Sequence, residues 1–101
     1  MDKEPIHVIV ESDLQDLIPN FMQRRHDDAE KLREALATGD FETVRVIGHS
    51  MKGTGGGYGF DSISQFGAAI EKAAKNAASD VARSAVDALE DYLARVQITY
   101  K

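Results

Sequence analysis

The stretch His49-Ser50-Met51-Lys52-Gly53-Thr54-Gly55-Gly56-Gly57-Tyr58-Gly59 decides how the rest of the chain is read. Its first half continues a helical pattern that starts at Phe41. At about 100° per residue, Phe41, Val44, Gly48, Met51 and Gly55 share one face. His49 stands on the flank of that face with Arg45, Lys52 and Gly56, neither central in a core nor fully outside. The second half gives up the helix, because successive glycines cost about 1 kcal/mol each in helix propensity. An interhelical turn needs one or two glycines; residues 53–59 hold five.

Helical spacing extends outward on both sides. Upstream, residues 20–37 place Phe21, Ala29, Leu32 and Leu36 on one stripe, continued backwards by Leu14 and Ile18. The opposite face, with Arg24, Arg25, Asp27, Asp28, Glu30, Lys31, Arg33 and Glu34, reads as solvated. Ser12-Asp13-Leu14-Gln15 fits a capping box, and Pro19 predicts a kink or a fresh helix start near Ile18. Gly39 closes this helix and Asp40 caps the next. Downstream, Asp61 opens a helix with Ile63, Phe66, Gly67, Ile70, Ala74 and Ala77 on one face and Glu71 on the flank. A turn over residues 76–80, capped by Ser79 or Asp80, leads to a last helix with the stripe Val81, Ala85, Leu89, Tyr92 and Val96. Amphipathic helices on short connections predict an all-α fold, an antiparallel up-down-up-down four-helix bundle with a short or kinked N-terminal helix. Residues 1–11 read as an extended arm or linker, because the β-prone run His7-Val8-Ile9-Val10 has no evident partner. The bundle is assigned residues 12–97. Residues 98–101 are assigned to a tail that frays.

The chain has 101 residues, 43% of them hydrophobic, no tryptophan and no cysteine. That supports one domain with an aliphatic core and excludes disulfides, thiolate metal sites and cysteine nucleophiles. No apolar run approaches the roughly 20 residues of a membrane span, so no membrane role is expected and the cytoplasm is the expected compartment. A net charge of −5 argues against non-specific nucleic-acid binding.

The glycines do not form a phosphate-cradling loop, which needs a strand before them and a lysine after them. Here a helix and a lysine both precede the run. His7, His26 and His49 lack metal-ligand spacing, so no metal site is expected. His49 remains as a nucleophile. Neutral imidazole, with an ordinary pKa of about 6.5, attacks electrophiles at neutral pH. A phosphoryl acceptor of this kind needs an accessible nitrogen, an acceptor holding the other nitrogen, and a nearby cation. The flank position supplies the first and Lys52, three residues on, the third. Gly53 and Gly56 remove side chains that would block another protein from docking. Glu71 fits the second need. Counted from the Gly57 turn, His49 lies about 12 Å up its helix and Glu71 about 15–20 Å up the next, and their side chains lean into register. On spacing alone, His49 as a boundary residue and Glu71 as a solvated carboxylate remain open alternatives.

The 49–59 stretch resembles the signature of histidine-containing phosphotransfer (HPt) domains, a histidine followed by Leu-Lys-Gly and a closing glycine. Ala69-Ile70-Glu71-Lys72-Ala73-Ala74 is similar to the family's next motif, and Leu17-Ile18-Pro19-Asn20-Phe21 and Gly39-Asp40-Phe41 to its leading segments. Met51 stands where leucine is usual, a change that a core position tolerates. The resemblance implies a phosphorelay intermediate without kinase chemistry of its own. His49 would take a phosphoryl group from one receiver-domain aspartate and pass it to another. Lys52 would be the charge partner and Glu71 would orient the imidazole. Gly53, Gly56 and Arg45 would lie in the docking surface, with Leu14 and Leu17 from the first helix. The implied partners are response-regulator receivers, including one borne by a hybrid sensor histidine kinase. No cofactor is implied for this chain, Mg²⁺ belonging to the receiver, and a monomer is expected. The rival reading is a helical module that docks a receiver or a partner helix without carrying phosphate.

Overall fold

Proline and glycine set most of the element boundaries. The computed structural model describes residues 4–101: β1 (Ile6–Val10), a 3-10 turn (Ser12–Leu14), α1 (Ile18–Thr38), α2 (Phe41–Thr54), a second 3-10 turn (Gly56–Tyr58), α3 (Asp61–Lys75), α4 (Ser79–Arg95) and β2 (Val96–Tyr100). Pro19 sits in the first turn of α1, where its missing N–H costs nothing, so the fresh start is the alternative realised. The capping box does not form. Ser12 lies inside the 3-10 turn, its carbonyl accepts from the Gln15 N–H at 3.1 Å, and no side chain caps that turn. Gly39 ends α1 in the left-handed region (φ 72°). Asp40 then accepts from the Thr43 backbone N–H at 3.1 Å and from its hydroxyl at 2.6 Å, which holds its carboxyl below the usual range. Asp61 and Ser79 prove to be first helical residues rather than caps.

The stripes of α1 and α2 are buried as expected, with one correction on α1. Arg25, read as solvated, is only 7% exposed. Its guanidinium lies 4.7 Å from the Phe21 ring centroid, Nη1 donates to Thr54 Oγ1 at 3.2 Å, and Nε is 3.0 Å from Asp28 Oδ2. Three compensations let a cation enter the interior. Burial in turn pushes the Asp28 carboxyl up, against the pull of Arg25. Phe21 also stacks on Tyr58 and Phe60, at 4.4 and 5.4 Å between centroids, which seats the glycine-rich turn on α1.

Helices α2 and α3 meet backbone to backbone. A Cβ on Gly48 would lie 2.7 Å from the Glu71 amide nitrogen and 2.9 Å from the Gly67 carbonyl oxygen. One on Gly67 would strike the Lys52 amide nitrogen. These glycines serve close approach, and they bring Glu71 beside the residue that follows Gly48.

Two further corrections concern the C-terminal half. Ala77 leaves the α3 stripe, exposed and in the left-handed region at φ 50°. On α4, Val81 is 58% exposed, while Ala82, Val86, Leu89, Tyr92 and Leu93 are buried. Apolar residues occupy two overlapping stripes of this helix, and packing against α1 and α3 buries the one that carries Ala82, Val86, Leu89 and Leu93. On the exposed side of α4, Arg33 of α1 bonds Glu90 at 2.6 Å and also Asp87.

The lone-strand expectation also fails. β1 pairs in parallel with β2, register Ile6↔Val96 through Val10↔Tyr100, and the pair is continued by Lys101 N–H to Val10 O (3.1 Å) and Ser12 N–H to Lys101 O (2.8 Å). The two ends of the chain therefore close on each other across the whole bundle. Val10 is fully buried, and Val8, Ile98 and Tyr100 pack against the core. Residues 1–3 of the expected arm lie outside the described residues.

Candidate functional site

His49 projects from α2 with its side chain 67% exposed, whereas the Glu71 side chain on α3 is only 7% exposed. The two touch: His49 Nδ1 lies 2.8 Å from Glu71 Oε2. Lys52 Nζ donates to Glu71 Oε1 at 3.0 Å. Lys75 Nζ, one turn beyond Glu71 on α3, stands 3.8 Å from Oε2. One sequestered carboxylate thus gathers a ring nitrogen and two ammonium groups.

That environment fixes its charge. The Lys52 hydrogen bond lowers the Glu71 pKa most. Burial opposes it, and the His49 hydrogen bond and both lysine charges add to the lowering, so the pKa falls to about 2. A carboxylate ionised at neutral pH can only accept, so the proton in the bond to His49 belongs on Nδ1. No hydrogen bond among the described residues engages Nε2. The arrangement is an oriented imidazole facing solvent, with its second nitrogen on the side away from the carboxylate.

The surroundings are open where the glycines lie. A Cβ on Gly53 or Gly57 would meet nothing within 4 Å, and one on Gly56 would make ordinary contact with Asp61 at 3.4 Å. Gly56 N–H donates to Ser64 Oγ at 2.8 Å, which pins the turn to α3. Arg45, one turn before His49, is held by Glu42 through two hydrogen bonds, at 2.6 and 3.2 Å. Leu14 is half-buried against the core. Leu17 is 51% exposed and lines a separate cleft of about 280 Å³ with Phe21, Arg24, Arg25, Thr54 and Tyr58. The structure therefore joins His49, Lys52 and Glu71 in one bonded cluster and leaves Leu17 at the start of α1. Among the described residues no group of three or more His, Cys, Asp or Glu could hold a metal ion.

Two residues escaped the sequence reading. Lys75 carried a usable signal, standing four residues after Glu71 and so on the same side of α3. Ser64 carried none, since its role depends on where the glycine turn folds back.

The family model of the Hpt domain matches residues 16–99, most of the chain. The chain belongs to the Hpt domain family. No curated protein and no solved structure matches it. Hpt domains are phosphocarrier modules of two-component systems, not enzymes, and they interact with the receiver domains of response regulators or hybrid kinases. In this Hpt domain no helix among the described residues is long and apolar enough to cross a membrane.

Proposed function

We propose that His49 is the phosphorylated residue of this Hpt domain, taking a phosphoryl group from one receiver aspartate and delivering it to another. The observation that carries this reading is the bond from Nδ1 to an ionised, sequestered Glu71, which leaves Nε2 bare and outward. Nε2 attacks phosphorus in line, the bond from phosphorus to the aspartyl oxygen breaks, and the electron pair leaves with the carboxylate. No proton has to move. The Nδ1 proton stays in its bond to Glu71, and the positive charge that develops on the ring is met by the carboxylate. The same path read backwards returns the phosphoryl group, so the carrier is reversible by construction. The receiver, with its own Mg²⁺, supplies most of the remaining charge stabilisation.

Lys52 is the charge partner of the arriving group. Gly53 and Gly56 give the receiver access, and Arg45, Leu14 and Leu17 extend the docking surface along α2 and α1. The helices run alternately up and down, which sets His49 on the side of the bundle rather than at an end. The domain works as a cytoplasmic monomer, with a hybrid sensor histidine kinase among its phosphoryl sources.

The test is transfer of labelled phosphate from a phosphorylated receiver. Wild-type protein acquires acid-labile label, and His49→Gln acquires none while keeping its helical circular dichroism. Label retained on His49→Gln refutes the assignment. Receiver binding by wild type without any label supports the docking-module reading instead.

A further inference from the structure

The Glu71 carboxylate has more cationic partners than its orientation of His49 needs. Oε1 is bonded by Lys52, and Oε2 is shared between His49 Nδ1 at 2.8 Å and Lys75 Nζ at 3.8 Å. The two lysines are not equivalent. Lys52 stands on the same helix as His49, three residues on, and its hydrogen bond to the carboxylate is close. Lys75 is the last residue of α3, approaches the same carboxylate as a looser ion pair, and keeps more than half of its side chain in solvent.

A phosphoryl group on Nε2 changes the balance. It brings about two negative charges to the exposed side of the imidazole, and Lys52, three residues on along the same helix with half of its side chain in solvent, is the charge partner that the carrier reading gives them. With a phosphoryl group present, Lys52 divides its charge and its three N–H donors between Glu71 Oε1 and the phosphoryl oxygens, so each anion receives less of it. Arg45 is no substitute, because Glu42 holds its guanidinium through two hydrogen bonds. Lys75 is the other cation already at the carboxylate, and it approaches from α3, the helix that carries Glu71 itself.

We infer that Lys75 is a positioning residue of the phosphorylated state: it holds the Glu71 carboxylate in place when Lys52 is shared with the phosphoryl group, so that the His49 Nδ1 bond survives the transfer. The inference rests on the carrier reading of His49. In the resting protein Lys75 is a spare partner. In the phosphorylated protein it is the cation that keeps a nearly buried carboxylate compensated, because an ionised group with its partner removed is costly at such a site. A purely structural lysine would matter equally in both states, whereas this one matters in one of them.

The experiment compares wild type, Lys75→Gln and Lys75→Arg, each before and after phosphorylation by phosphoramidate, a small donor that requires no receiver. Two-bond ¹H–¹⁵N spectra of the imidazole report which ring nitrogen carries a proton. Before phosphorylation all three proteins show the proton on Nδ1. After it, wild type and Lys75→Arg retain that proton in slightly alkaline solution and Lys75→Gln loses it. Single-turnover delivery to an unphosphorylated receiver is slowed about fivefold in Lys75→Gln, the size expected for loss of one charge near 4 Å in a solvated setting, and restored in Lys75→Arg. Lys75→Gln behaving as wild type in both states overturns the inference and leaves His49 as the carrier. Loss of the Nδ1 proton in both states also overturns it, by showing a structural role. Wild-type protein that takes no phosphoryl group from phosphoramidate or from a receiver removes the carrier reading and this inference together.

Discussion

Glu71 shows how one residue converts packing into chemistry. It is nearly buried because Gly48 and Gly67 bring two helix backbones together, and it is ionised because Lys52 bonds it there. The consequence for pH is signed. A carboxyl whose pKa falls from 4.5 unfolded to about 2 folded stabilises the protein fully above the unfolded value, and that contribution is lost as pH drops from 4.5 toward 2. Glu71→Gln removes this titration, so denaturant midpoints measured through that range fall less steeply for the variant than for wild type. Parallel acid limbs would show that Glu71 is not held as described. Truncation tests the other role. Glu71→Ala leaves the imidazole unheld and slows phosphoryl acceptance by roughly tenfold or more without abolishing it, because Nε2 remains exposed. Single-turnover rates at saturating receiver measure this. His49, Lys52 and Glu71 were legible because helical spacing and the lean of side chains place them in register. The burial of Glu71 was not, since a flank position on a wheel says nothing about how near the next helix comes.

At the scale of the element, small residues matter in two opposite ways. Gly48 stands where a methyl group would lie 2.7 Å from backbone, so Gly48→Ala must push α2 and α3 apart. Helix propensity alone favours the substitution by about 1 kcal/mol, and overpacking against backbone costs about 1–3 kcal/mol. Overpacking wins: chemical denaturation finds the variant less stable, and the His49–Glu71 bond lengthens with it. Ala77 is the converse case. It occupies the left-handed region between α3 and α4, where an L-residue with a Cβ is strained by roughly 1 kcal/mol. Ala77→Gly relieves that strain and raises stability by up to about 1 kcal/mol, read as a higher denaturant midpoint at unchanged slope. Glycine spacing marked the end of α2 from the sequence alone, because five glycines in a short segment cannot remain helical. The rotation of α4 was harder to read. Val81 and Val86 offer two apolar faces, and which one is buried depends on how α4 packs against α1 and α3, which no local pattern contains.

At the scale of the molecule, the parallel strand pair is the feature the sequence hid most completely. Each strand is a five-residue β-prone run with no neighbour in sequence, and their partnership spans nearly the full chain. Local pattern cannot reveal such a pairing, because the loop being closed is the bundle itself. Its place in the fold predicts a separable effect. The strands cover Val10 and pack Val8, Ile98 and Tyr100 against the core, and none of these residues contributes to the His49–Glu71–Lys52 cluster. Removing residues 97–101 unpairs β1 and exposes Val10, a loss of about 2–3 kcal/mol from apolar burial alone. For a domain of this size that lowers Tm by about 10 °C or more. At a temperature where the shortened protein is still folded, phosphoryl transfer to His49 proceeds at the wild-type rate, because the cluster is built from α2 and α3. Thermal denaturation followed by circular dichroism, with transfer assayed well below the lowered Tm, separates the two effects. An unchanged Tm would mean that the strands do not close the bundle. A lost transfer rate in folded protein would mean that the ends of the chain reach the histidine by a route the α2–α3 contact does not contain.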